Sequence, residues 1–159
     1  MQRILSLLVC TLLSSALTNA QTATGSWYGR ADVMIGGNSN NYMTEMVLKQ
    51  KGNDVEGIFG YYFKDSYQSF FVHGKYDPKT RLVHIKNMPM LYYRSETRNG
   101  IECPMHFMGT LMVSKAGNSM QGNFYTDEKY KYTCPELRVA YRMDHSETNT
   151  DSLLRHATA

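Results

Sequence analysis

The chain has 159 residues and a formal net charge of +3, a length that suits one ordinary domain and a charge too small to indicate binding to nucleic acid or to an anionic membrane. Its 12 tyrosines and 6 phenylalanines, with no long apolar stripe of helical period, favour a β-rich fold over a helical one.

The N-terminus has the anatomy of a secretory signal. Arg3 supplies a positive charge, Ile4–Leu13 is an apolar run too short to span a bilayer as a helix, and small residues precede Gln21. This pattern predicts a signal peptide over residues 1–20 and a secreted or periplasmic mature protein. No second long apolar run follows, so we expect no transmembrane segment in the mature chain.

The remaining sequence reads as short β-strands separated by turn residues. Eight strands are predicted near 25–35, 42–50, 55–63, 68–76, 81–87, 105–114, 119–126 and 137–143, with a further short extended piece at 90–95. Strands joined in sequence by short turns form an up-and-down meander, and closure removes its exposed edges. We therefore predict an all-β domain over 21–143, a single closed or nearly closed antiparallel barrel, followed by a polar, poorly ordered tail over 144–159.

Three turn sequences set the expected pairing of the hairpins. Lys51–Asp54, Asp77–Thr80 and Ala116–Ser119 contain residues that favour turns. With these turns at the hairpin tips, the expected facing pairs are Gln50 with Val55, Tyr76 with Arg81, and Lys115 with Met120. Side chains alternate between faces, so one inward face collects glycines and aromatic rings, namely Gly57, Phe59, Gly74, Tyr76, Gly122 and Phe124.

The inward aromatic side chains suggest a ligand site. Apolar rings with polar tips suit a cavity for a small apolar or amphipathic ligand, and the predicted lining is Phe59, Tyr61, Phe70, Tyr76 and Phe124. The alternative is that these rings simply fill a narrow barrel. The function would then lie on an outward apolar patch that binds a protein partner or a second copy of the chain, formed by Met43, Val47, Ile58 and Tyr62.

Cys103 and Cys134 are the only cysteines after the predicted signal peptide. In an oxidising compartment such a pair is expected to form a disulfide. The two cysteines are 31 residues apart, and a disulfide that closes a loop of this length stabilises a fold by about 3–4 kcal/mol.

The segment Gly25-Ser26-Trp27 places a G-x-W element on the first strand. It resembles the opening of the calycin superfamily of lipocalins, fatty-acid-binding proteins and avidins. The resemblance implies a barrel in which Trp27 packs across the closed end and an arginine after the last strands, Arg138 or Arg142, covers the indole. The chain departs from avidins, which use several tryptophans to bind biotin, and leaves no room for the early helices of fatty-acid-binding proteins.

Signatures of catalysis are absent from the sequence: it contains no G-x-S-x-G, no H-E-x-x-H and no glycine-rich phosphate loop. The turn at Asp77–Thr80 predicts that His73 and His84 face each other, but no third metal ligand is evident. We therefore expect a non-enzymatic binding protein without metal or cofactor. A hydrolase or isomerase on the same scaffold is the remote alternative.

Overall fold

A computed structural model describes residues 21–35, 38–63, 66–94, 103–134 and 136–144. They form one short 3-10 helix (Glu128–Tyr130) and the strands β1 (Gly25–Ile35), β2 (Asn38–Lys51), β3 (Asp54–Phe63), β4 (Ser66–Asp77), β5 (Leu82–Met88), β6 (Met90–Arg94), β7 (Met105–Ser114), β8 (Gly117–Tyr125) and β9 (Leu137–Asp144). The predicted signal peptide and positions 145–159 of the predicted tail lie outside these residues. No helix in the described part of the chain combines the length and the apolar character needed to cross a membrane.

Eight of the strands close into an antiparallel barrel. Each of β1, β2, β3, β4, β5, β7, β8 and β9 pairs with the next, and β9 pairs back with β1, where Trp27 lies opposite Met143. β6 is an additional strand that continues past β5 along β4. The predicted all-β, up-and-down barrel is confirmed, and the strand bounds differ from the predicted ones by at most four residues.

The hairpin registers test the turn predictions one by one. The β2–β3 hairpin pairs Gln50 with Val55, as predicted. The predicted β4–β5 register is wrong by two residues, because Tyr76 faces Val83 instead of Arg81. The Asp77 carboxylate accepts the Lys79 N–H at 2.9 Å, so Asp77 acts as the last paired residue of β4 and the turn extends through the next four residues.

The predicted β7–β8 register is wrong by four residues. Ser114 pairs with Gly117, which leaves a tight turn of only Lys115 and Ala116. The Ser114 hydroxyl closes this turn, accepting the Ala116 N–H at 3.2 Å and donating to the Gly117 carbonyl at 2.9 Å. Because both register errors are even numbers of residues, every side chain keeps its predicted face.

The barrel interior is the hydrophobic core. Phe59 on β3 and Phe124 on β8 point inward from opposite sides of the barrel, and their rings stack with centroids 4.4 Å apart. Gly57 lets β2 approach β3 closely, since a Cβ there would lie 1.8 Å from the Val47 carbonyl oxygen. The inward face predicted from alternation is therefore the face that is buried.

Candidate binding site

One end of the barrel is filled by Trp27. Its side chain is fully buried, and its indole N–H donates to the Ala23 carbonyl at 3.0 Å. Leu48, Val55 and Tyr76 are also buried in the same core cluster. The segment before β1 also helps to close this end, since Ala23 is fully buried and its N–H donates to the Gln50 side chain at 2.8 Å.

The two arginines expected over Trp27 lie on the other face of the wall. Arg138 and Arg142 are exposed and alternate along β9 with the buried Val139 and Tyr141. Since neighbouring positions of a strand point to opposite faces, both guanidinium groups lie outside the barrel while the indole lies inside. Neither Arg138 nor Arg142 therefore covers the indole of Trp27, contrary to what the calycin resemblance implies.

The other end of the barrel carries the disulfide. Cys103 and Cys134 are bonded, with Cα atoms 5.7 Å apart, as the sequence predicted. Cys134 is buried, and its N–H donates to the Tyr130 carbonyl at 2.8 Å at the end of the 3-10 helix. The bridge thus ties the segment before β7 to the connection between β8 and β9, which caps this end.

Beneath this cap lies a partly enclosed cavity of about 140 Å³. Both cysteines border it, and carbon surfaces make up most of the remaining lining, with contributions from Ala31, Val33, Phe59, Met105, Phe124 and Leu137. An apolar hollow with a few polar groups is the usual form of a small-molecule site.

Three of the five predicted lining residues border the cavity, namely Phe59, Tyr61 and Phe124. Phe70 does not border it but supports it, with its ring centroid 5.8 Å from that of Phe59 and 6.0 Å from that of Tyr61. Tyr76 lies at the far end of β4, in the filled half of the barrel. The structure therefore brings four of the five together and separates Tyr76 from them.

Tyrosine and threonine hydroxyls provide the polar part of the lining. The rings of Tyr42 and Tyr61 meet edge to face at 5.6 Å. Burial, with smaller contributions from Tyr42 and Tyr93, raises the pKa of Tyr61 to about 12. Tyr61 is therefore a neutral hydrogen-bonding group at physiological pH.

A buried phenol lies behind Thr44, a lining residue. Tyr141 is fully buried, and burial raises its pKa far above the usual value, with the nearby Thr44 hydroxyl lowering it only in part. Within the described part of the chain, the Tyr141 hydroxyl has no hydrogen-bond partner of normal geometry. The Thr44 hydroxyl donates to the Gly29 carbonyl at 3.1 Å. An unsatisfied donor thus lies close to the wall of the cavity.

Sequence reasoning missed the lining residues on β1 and β2, which are Ala31, Val33, Tyr42 and Thr44. The first two follow Trp27 at spacings of four and six, so strand alternation alone places them inward. Their position beside Leu137 depends on the pairing of β1 with β9, which no local turn reports.

The predicted outward patch is only half exposed. The side chains of Met43 and Tyr62 are 60% and 46% exposed, whereas Val47 and Ile58 are buried. The Tyr62 hydroxyl donates to the Glu45 carboxylate at 3.3 Å. The four residues therefore do not form one continuous apolar surface.

The histidines do not form the predicted facing pair. The corrected register places His84 opposite Lys75, with its Nε2 3.0 Å from the Tyr125 hydroxyl. At His106, Nδ1 accepts the Asn87 N–H at 3.0 Å and Nε2 lies 3.1 Å from the Asp127 carboxylate, so both ring nitrogens have partners within the fold. The described residues contain no cluster of three or more side chains suited to hold a metal ion.

Comparison with known proteins adds no family. No protein-family model matches the chain, and no curated protein matches its sequence.

Proposed function

We propose that this chain is a secreted, non-enzymatic binding protein with a calycin-like barrel that holds a small apolar or amphipathic ligand beneath the disulfide cap. The proposal is supported by the difference in packing between the two ends of the barrel core. Side chains fill the Trp27 end, while a carbon-lined cavity of about 140 Å³ remains at the other end. The cavity is favoured over the outward patch because Val47 and Ile58 of that patch are buried.

The size of the cavity limits the ligand. Pockets for drug-sized molecules begin at about 300 Å³, whereas an apolar cavity of about 150 Å³ accepts benzene. The cavity of about 140 Å³ therefore suits a single ring or the end of a short alkyl chain.

The polar groups around the cavity favour a ligand with one polar atom. The hydroxyls of Thr44 and Tyr61 line it. A ligand hydroxyl that forms a hydrogen bond with one of these lining hydroxyls gains about 0.5–1.5 kcal/mol of affinity. A phenol is thus expected to bind more tightly than the corresponding hydrocarbon.

The proposal is tested by titrating the full mature chain with toluene and with p-cresol while amide chemical shifts are followed. We expect saturable shifts at the lining residues, with p-cresol binding about tenfold more tightly, a difference that corresponds to one hydrogen bond of about 1.4 kcal/mol. Absence of saturable binding by either probe would refute the cavity as a ligand site.

A filled-cavity variant and a matched control locate the binding. Ala31→Leu adds carbon atoms inside the cavity, and Ala31→Val is a milder version in case the larger side chain prevents folding. The control Ala140→Leu makes the same change on the outer face of β9, where Ala140 is exposed. Binding should be lost in the Ala31 variants and retained in the control; equal binding in all of them would place the probes elsewhere.

A further inference from the structure

The outer wall carries a polar groove, unrelated to the cavity, where β1, β9 and β8 run side by side. Its volume is about 280 Å³, and its borders include Arg30, Arg138, Gln121, Asn123, Asp32 and Ala140. Every one of these side chains except Ala140 can form hydrogen bonds. The groove is therefore polar, whereas the cavity under the disulfide is mainly apolar.

Strand pairing explains how the groove is built. Arg30 lies opposite Ala140, which in turn lies opposite Gln121. In the next row along the strands, Asp32 lies opposite Arg138, which lies opposite Asn123. The short side chain of Ala140 leaves a depression between longer side chains, and this depression is the floor of the groove.

The same register places three arginines on one face of the neighbouring strands β1 and β9. Arg138 and Arg142 are the residues two positions before and after Ala140 on β9, so both are diagonal neighbours of Arg30. Diagonal neighbours on one face of a sheet are about 7–8 Å apart, within reach of side chains as long as arginine. Like charges at such spacing repel each other unless an anion lies between them.

Asp32 compensates this charge only in part. Its carboxylate lies 3.7 Å from Arg30 Nε, beyond hydrogen-bond distance, and both side chains are 64% exposed. An exposed ion pair of this kind contributes little to stability because water screens it and both side chains lose freedom. The charged residues that border the groove are Arg30, Arg138 and Asp32, so its lining carries one more positive than negative charge.

We propose that the groove binds a doubly charged tetrahedral oxyanion, a phosphoryl or sulfate group, either free or carried on a larger molecule. Arg30, opposite Ala140 on β1, and Arg138, two positions before it on β9, both border the floor and present planar forks of N–H donors that match oxyanion geometry. Gln121 and Asn123 add carboxamide N–H donors from the β8 side, and Arg142 adds charge from the next row.

The proposal is tested by calorimetric titration of the full mature chain with inorganic phosphate, sulfate and phenyl phosphate at low ionic strength, with chloride as the control for screening. We expect saturable binding of the three divalent anions and none of chloride. Binding of inorganic phosphate and phenyl phosphate alike indicates a site for the free group, whereas binding of phenyl phosphate alone indicates a site for an ester. No saturable binding of any divalent anion would overturn the proposal.

Two charge-matched variants locate the site. Arg30→Gln combined with Arg138→Gln should weaken binding by about tenfold or more. Lys79→Gln combined with Lys86→Gln removes the same charge from exposed residues at and beside the β4–β5 hairpin and should change the affinity by less than about twofold. Equal losses in the two double variants would show that net charge alone attracts the anion and would overturn the proposed groove.

A third variant predicts a change in the opposite direction. Asp32→Asn removes the carboxylate that competes for Arg30, so binding should tighten by about threefold or more. Weaker binding in this variant would mean that Asp32 positions the arginines instead of competing with the anion, which contradicts the proposal. All substituted side chains are exposed, so circular dichroism spectra should match that of the wild type.

Discussion

The two ends of this barrel are closed in different ways. At one end Trp27 is buried among Leu48, Val55 and other apolar side chains, and packing together with its hydrogen bond to Ala23 closes the core. At the other end the Cys103–Cys134 bridge holds a cap over a cavity that the side chains leave unfilled. A narrow barrel can therefore keep an internal void when a covalent link holds the chain around it.

The energies involved are of similar size. A void of 140 Å³ costs at most about 3.4 kcal/mol at about 24 cal/mol per Å³, and less where solvent enters. A disulfide that closes a loop of 31 residues contributes about 3–4 kcal/mol. The bridge is therefore sufficient to offset the cavity beside it.

The largest effect is expected at the filled end. Trp27→Ala removes the largest buried side chain and deprives the Ala23 carbonyl of its hydrogen bond from the indole N–H. The free energy of unfolding should therefore fall by about 3–5 kcal/mol. Urea denaturation followed by circular dichroism measures this loss. Trp27→Phe, which keeps a ring, should cost clearly less; equal losses would argue against a packing role for the indole.

The cap end should depend on its covalent bond. Replacing Cys103 and Cys134 together by serine should lower the free energy of unfolding by about 3–4 kcal/mol. Amide hydrogen exchange should rise most in residues 126–134, which the bridge anchors, and least around Trp27. Uniformly faster exchange over the whole barrel would show that the two ends do not differ in this way.

A matched pair of leucines compares the two ends directly. Leu111 is fully buried in the filled core, so Leu111→Ala should cost about 2–5 kcal/mol. Leu137 is half-buried and already borders the cavity, so Leu137→Ala should cost about 1 kcal/mol. Similar losses in both variants would mean that the cavity end is packed as tightly as the other.

Alkaline pH should weaken the cavity end. The pKa of Tyr61 is raised from 10.0 to about 12, so the folded state holds this proton more tightly than the unfolded chain. The resulting stability is present below pH 10 and is lost as pH rises through about 12, by at most about 2–3 kcal/mol. Thermal unfolding of the wild type and of Tyr61→Phe across this range measures the effect, and the variant should lose less stability.

Sequence alone predicted the strands and their faces because alternation with period two is a local signal. It failed at two turns because single side chains decide the register there: the Asp77 carboxylate extends one turn, and the Ser114 hydroxyl tightens another. It placed Phe59, Tyr61 and Phe124 at the cavity but missed Ala31 and Val33, whose neighbours come from barrel closure. The pairing of β1 with β9 joins residues that are far apart in the sequence, so no short segment predicts it.

Trp27 is the only tryptophan in the chain, and it lies at the end of the barrel away from the cavity. Its fluorescence emission should therefore shift when the whole barrel unfolds but stay constant when the cavity fills. An optical screen for ligands that relies on indole emission would miss true binders of this protein, whereas a screen by thermal shift would detect them.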